Sequence, residues 1–409
     1  VKDKSKPPFS ILRYCLFMTL AFAAFSCILK LNTLNFDHEE TDEQVYWHLA
    51  ENILKKGEYS LRGTELLPTL SQEIYNRPLF HHPPLFPWLL IPFVKSGAIH
   101  AAIIISWFGH LLAIFSVGII GYGIMKKHSA DPAHYIDWYW IPLLGIATDP
   151  VLTFVSANLW IDSLMAGLIA FSAALVYLST CSERKNIYLI LGGIFLGLAG
   201  LAKIPGLLGA CLAWFIILTS KESSRDKIKH LILFHIPCII LVLPWFIIFY
   251  RQYGVLLPGW IKPDEWLIKN NAFISSMLHR PFYYYIAKII LTQPLFFVLL
   301  FLSILRLVRQ KKFSLPFPFF WFLVFLLIPT WQGIAGHGFQ MRYIAPLFPS
   351  LYLMIYSEGI SIAETRRNFY KPFVIMLLVF AAIQATMYLF WSEYEEFFSL
   401  AELIGIIKL

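Results

Sequence analysis

The sequence predicts an all-α polytopic membrane protein with about eleven transmembrane helices, on three observations. Charged residues make up only 14% of the 409, while 58% are hydrophobic and 17% aromatic, with a mean hydropathy of +0.64. A soluble domain carries about a quarter charged residues, and a disordered scaffold would be polar and poor in aromatics. Apolar stretches recur from one end of the chain to the other, some of them short for the roughly 20 residues of a straight span. The basic residues fall mainly in the short connections between alternate stretches, as expected for cytoplasmic loops.

The predicted spans are 10–29, 95–124, 136–148, 151–180, 187–202, 206–219, 231–250, 286–305, 315–330, 343–357 and 373–391. The first follows a basic head (Lys2, Lys4, Lys6, Arg13) and lacks a small-residue cleavage site, so it reads as an uncleaved span. With the N-terminus inside, 19 of the 33 Lys and Arg residues fall in cytoplasmic segments, including 221–229 and 306–312. The run 151–180 reads as one long helix of about 45 Å, enough to carry Asp162 out of the hydrocarbon to the outer interface. The net charge of +8 fits these loops and a surface for anionic membrane lipids; no basic-aromatic module for nucleic acid appears. Cys15, Cys27, Cys181, Cys211 and Cys238 all lie in or beside apolar runs, which gives neither a disulfide framework nor a CxxC metal site.

Two long extracytoplasmic loops, 30–94 and 251–285, hold most of the chemistry. In the first, Thr41-Asp42-Glu43-Gln44 fits a capping box, and Tyr46, Leu49, Ala50, Ile53 and Leu54 continue it at helical spacing until Gly57. This predicts an amphipathic helix on the membrane surface with Asp42 and Glu43 in its first turn. A helix start favours ionised acids, which suits a general base and equally suits ordinary capping. Further on, Arg77-Pro78-Leu79-Phe80-His81-His82-Pro83-Pro84 reads as a rigid extended elbow. Its histidines suit a phosphate or metal ligand, or a turn in the headgroup zone; HExxH is absent and no metal site is predicted.

Three cations and one buried acid complete the candidates. Asp162 is an intramembrane carboxylate, either functional or paired structurally with a neighbouring helix. Lys203 lies in a tight turn, Arg251 opens the second long loop, and Arg342 follows the turn Gly333-Ile334-Ala335-Gly336-His337-Gly338. Each alone reads as an interfacial anchor or a phosphate ligand. Together they put cations on the face that carries Asp42, a pattern suited to a phosphorylated substrate and a hydroxyl to be deprotonated.

The ordered set of motifs resembles the GT-C membrane glycosyltransferases, specifically the protein O-mannosyltransferase and aminoarabinose transferase-like (lipid A modifying) group. The residues that carry the resemblance are Asp42-Glu43 with Tyr46 and Ala50, then His82-Pro83-Pro84-Leu85, then Asp149-Pro150 with Asp162. Gly197-Leu198-Ala199-Gly200-Leu201-Ala202-Lys203, Pro244-Trp245 and Arg342-Tyr343-Ile344-Ala345-Pro346 complete the series. The resemblance implies a single GT-C-like domain over 1–409 without a C-terminal soluble domain. It also implies inverting transfer of a sugar from a polyprenyl-phosphate donor to a lipid, glycan or protein acceptor. The setting it implies is a multi-pass protein of a bacterial cytoplasmic membrane, with the site facing the periplasm or exterior. Asp42 takes the place of the base, with Glu43 beside it and Asp162 as the span-four acid; His82, Lys203, Arg251 and Arg342 are the phosphate ligands. The aminoarabinose transferases usually carry Lys where this chain has His82, a departure that either makes phosphate affinity more dependent on pH or places the contact elsewhere. No cofactor is required, because the leaving group already carries charge; a divalent metal is compatible but not implied. The alternatives are a transporter or flippase for a polyprenyl-linked saccharide, or a non-catalytic scaffold with this fold. A transporter would carry internal repeats and charges along a membrane path, and neither is evident in the sequence.

Overall fold

The computed structural model describes residues 9–35, 41–64, 76, 78–80, 82–128, 136–256, 281–293, 316–334, 341–365 and 370–389. His81, Arg77, the segment 306–312, the Gly-rich turn at 335–338 and most of the second long loop lie outside the described residues. The described chain is helical, and each of the eleven predicted spans carries at least part of a helix. In order these are α1 (Phe9–Leu29), α2 (Thr41–Lys56), α3 (Leu85–Ser96), α4 (Ile104–His128), α5 (Trp140–Ala147), α6 (Pro150–Ala157) and α7 (Ile161–Ser179). Next come α8 (Lys185–Ala202), α9 (Ala210–Leu218), α10 (Ser224–Tyr253), α11 (Tyr284–Thr292), α12 (Phe317–Ile334), α13 (Phe348–Thr365) and α14 (Tyr370–Leu389). Among the described residues six helices are long and apolar enough to cross a membrane, and the pair α5 and α6, bent by 47°, makes a seventh if counted as one span.

α7 is the centre of the bundle. Its apolar window is 83% buried, against 28% for α1 and 22% for α10, which present Leu, Ile and Phe side chains outward as lipid-facing helices do. α7 packs most extensively on α4 and α8, and α8 in turn on α10. Between α4 and α7 the backbones touch. A Cβ on Gly109 would stand 2.3 Å from the Ser163 carbonyl oxygen, and one on Gly167 would stand 2.0 Å from the Gly109 oxygen. Only glycine permits that approach, which membrane helices use because lipid offers no hydrophobic drive to association.

The run 151–180 is two helices, not one. Asn158 and Trp160 adopt extended backbone (φ −111°, ψ 158° and φ −105°, ψ 137°), ending α6 and starting α7 three residues later. The freed backbone groups find new partners: the Phe154 carbonyl accepts from the Asn158 side-chain amide (Nδ2) at 2.9 Å, and the Leu159 N–H donates to Glu43 Oε1 at 2.6 Å. The break puts Asp162 in the first turn of a 19-residue α7 instead of part-way along a continuous rod. Similarly, α10 runs on to Tyr253 before Gly254 (φ 68°) stops it, so the second long loop opens inside a helix. The first loop likewise already contains the start of α3.

Two buried polar clusters tie the bundle together. Lys30, fully buried at the end of α1, donates to His110 Nδ1 (3.1 Å) and Ser156 Oγ (3.3 Å), joining α1 to α4 and α6. Asp149 caps α6 by accepting from the Leu152 N–H at 2.7 Å. Its other oxygen accepts from Tyr352 Oη at 2.6 Å and Gln293 Nε2 at 2.7 Å, and Gln384 Nε2 donates to Gln293 Oε1 at 2.8 Å. This network links α6 to α11, α13 and α14. In lipid such groups have no water to turn to, so each needs an internal partner.

Candidate active site

α2 begins where the capping pattern places it, with Asp42 and Glu43 in the first turn and Lys55 and Lys56 in the last. Adjacent helix positions point about 100° apart, and the two acids diverge accordingly. Glu43 is buried and holds the Leu159 N–H, fastening α2 to the α6–α7 break. Asp42 is half-exposed, and its Oδ2 accepts from Arg342 Nη2. Tyr46, one turn on, is buried with its ring edge-on to His82 (5.3 Å) and Phe86 (5.1 Å). A small cluster of Val45, Leu49, Leu61 and Leu79 holds the other face of α2 against the following loop.

Three elements from the rest of the chain meet Asp42. The elbow brings His82, whose carbonyl accepts from Tyr59 Oη at 2.7 Å. The extended residue that ends α8 brings Lys203, whose Nζ donates to Asp162 Oδ1 at 2.7 Å and stands 4.7 Å from the centre of the Tyr343 ring. The turn Met341–Leu347 brings Arg342, whose guanidinium lies over Trp160 (4.6 Å) and near Tyr343 (5.8 Å). Asp162 is 1% exposed, with Oδ2 3.8 Å from Arg342 Nε. That is beyond hydrogen-bond reach, and Arg342 Nε, though buried, has no hydrogen-bond partner among the described residues.

Two carboxylates and two cations therefore alternate at one place. Burial pushes the Asp42 carboxyl up, but the charge and hydrogen bond of Arg342 outweigh it and hold the group below the usual carboxylate range. Burial pushes His82 down to about 4, so it is neutral at pH 7. The charges then balance formally, leaving room for an added anion to be drawn by Arg342 and Lys203. Beside Asp162 and Lys203 lies a cavity of about 180 Å³. Asp162, Lys203 and Tyr343 line its polar end and Leu208, Phe325 and Pro346 its apolar wall.

Of the seven residues singled out by sequence, Asp42, Asp162, Lys203, His82 and Arg342 come together, and Glu43 sits beneath them as a fastening. Arg251 does not join them: it is exposed near the end of α10 and makes no ion pair with these acids. Trp160, which carries the Arg342 guanidinium, escaped sequence reasoning. The available signal was a tryptophan two residues before an intramembrane acid, the residue type enriched at membrane interfaces. Among the described residues no group of three or more His, Cys, Asp or Glu side chains is placed to hold a metal ion.

No protein-family model and no curated protein sequence matches the chain. Solved structures do. ArnT from Cupriavidus metallidurans in the apo state superimposes with a TM-score of 0.57 at 14% identity, covering 90% of this chain and 73% of ArnT. The same enzyme bound to undecaprenyl phosphate gives 0.55 at 15% identity, covering 90% and 70%. The Archaeoglobus fulgidus oligosaccharyltransferase, in complex with zinc and sulfate, gives 0.52 at 14% identity, covering 91% of this chain and 52% of its own length. Over nine-tenths of its length the chain shares the GT-C membrane fold of ArnT and the oligosaccharyltransferase, and its described residues are helical.

Proposed function

We propose that the protein transfers a sugar from a polyprenyl-phosphate donor to an acceptor hydroxyl or phosphate on the extracytoplasmic face of the membrane, with inversion. The observation that carries this reading is the alternation of Asp42, Arg342, Asp162 and Lys203, with Asp162 and Lys203 also lining a largely apolar cavity. A lipid phosphate presents one anionic head and one apolar tail, and this site presents a match for both. The likeness to ArnT bound to undecaprenyl phosphate supports the donor class.

In the proposed reaction Arg342 and Lys203 hold the donor phosphate, and the acceptor oxygen attacks the anomeric carbon from the opposite side. The bond from that carbon to the phosphate oxygen breaks, its electron pair leaves with the polyprenyl phosphate, and the acceptor proton passes to Asp42. The cations offset the charge that grows on the departing oxygen. Asp162, buried between them, orients both cations. Trp160 and Tyr343 give the guanidinium apolar faces on which to lie.

The test is incubation of the purified protein with a panel of labelled polyprenyl-phosphate sugars and lipid, glycan and protein acceptors. The expected result is labelled acceptor of inverted anomeric configuration together with free polyprenyl phosphate. Movement of intact donor across vesicles, with no transfer to any acceptor, would establish a flippase instead.

A further inference from the structure

We propose that Arg342 is a positioning residue that couples donor binding to release of the base: the donor phosphate displaces Asp42 from the guanidinium and so frees the carboxylate for the acceptor. This rests on the transferase reading and adds an order of events to it.

The geometry of one side chain carries the inference. Nε and Nη2 form the side edge of a guanidinium, the edge that grips an oxyanion with two parallel N–H···O bonds. In Arg342 the two nitrogens of that edge are in different states. Nη2 is bonded to Asp42, whereas Nε is buried without a partner among the described residues, its nearest acid oxygen 3.8 Å away on Asp162. A buried unmet donor is costly, so the protein without sugar donor holds its arginine half-satisfied. A phosphate oxygen at Nε repairs that deficit. Bidentate grip then brings a second anion onto Nη2, whose acid neighbour is the half-exposed Asp42, not the buried Asp162; like-charge repulsion between phosphate and carboxylate on one nitrogen drives the exchange. Asp42 is the partner free to move, because its carboxyl reaches solvent and Asp162 keeps Lys203 at 2.7 Å.

Four groups act on Asp42 and set its affinity for a proton. They are Arg342 from the turn 341–347, Lys203 from the end of α8, His82 from the elbow and Tyr46 from its own helix. Of these, Arg342 is the largest influence holding the carboxyl low. Once Arg342 turns to phosphate, Asp42 becomes a stronger proton acceptor beside the bound sugar. Donor binding therefore precedes formation of a competent acceptor site.

The experiment is a double-mutant cycle read by binding of polyprenyl monophosphate in detergent micelles. Asp42→Asn removes the competitor for Nη2 and is expected to tighten binding by about three- to tenfold, the range of a single charge-assisted contact shared between two acceptors. In an Arg342→Gln background the same change is expected to alter affinity by less than about twofold, since there is no fork to release. Arg342→Lys keeps the charge without the fork and serves if Arg342→Gln does not fold; there too the gain should collapse. An equal gain in every background would mean that Asp42 merely repels phosphate through space, and would overturn the exchange while leaving the transferase reading intact. Failure of the wild-type protein itself to bind polyprenyl phosphate would overturn the transferase reading, and the exchange with it.

Discussion

The network around Asp149 and the cluster around Asp42 use the same kinds of groups to opposite ends. Asp149, Tyr352, Gln293 and Gln384 are all nearly inaccessible, and their hydrogen bonds close on one another at 2.6–2.8 Å. Around Asp42 one acid is half open, Lys203 is 26% exposed, and Arg342 Nε has no acceptor among the described residues. A closed network fixes helices, since any departure leaves a polar group unmet in lipid. An open, incompletely satisfied one has capacity for a ligand. Residual hydrogen-bonding capacity, more than the presence of a buried carboxylate, is what separates a site from a brace in this bundle.

That contrast is most exposed to failure at Asp42. Asp42→Asn retains size and helix-start preference, so the folded protein should persist while turnover falls by about 10²–10⁴. Full activity at wild-type expression would reduce Asp42 to a capping acid and remove the contrast. Next in size are the cations. Lys203→Ala or Arg342→Ala should weaken donor binding about ten- to hundredfold, from loss of a charge-assisted contact. Arg251→Ala, exposed and outside the cluster, should change it by less than about threefold. A large loss at Arg251, measured in the same binding assay, would mean that donor contacts extend beyond the observed cluster.

The closed network should answer in stability instead. Tyr352→Phe removes a donor to a buried carboxylate and should lower unfolding free energy by about 1–3 kcal/mol with turnover nearly unchanged. A turnover defect without destabilisation would transfer Asp149 to the functional class. The smallest expected effect concerns acid. His82 is pushed by burial from 6.5 down to about 4, so as the pH falls the unfolded chain takes up its proton first. The stability His82 gives is therefore complete above about pH 6.5 and is lost progressively towards pH 4. Thermal melts of His82→Gln should show a shallower acid slope than wild type across that window.

How much of this could be read from sequence depends on the range of the signals. The limits of α2 and its paired acids were legible because capping residues act within one turn. The break at Asn158–Trp160 was not, because Val155, Ala157, Leu159, Trp160 and Ile161 keep the run apolar while the backbone turns extended. Hydropathy records the solvent a residue prefers and is silent on its dihedral angles. The grouping of Asp42, Asp162, Lys203 and Arg342 depends on that break and on contacts between residues up to 300 apart in sequence. Residue types alone could not distinguish Lys203, which reaches the site, from Arg251, which does not.

The contact between α4 and α7 has a bearing on the position of Asp162 that its chemistry would never advertise. Gly109 lies against the carbonyl of Ser163, the residue directly after Asp162. A single methyl group there must push the first turn of α7 away, and a misplacement of about 1 Å can cost a reaction about a hundredfold. Tolerance to substitution should therefore fall to its minimum at a position with no side chain. Mutational scans that rank residues by reactive groups would pass over the hydrogen atom that lets the first turn of α7, and Asp162 with it, lie where it does.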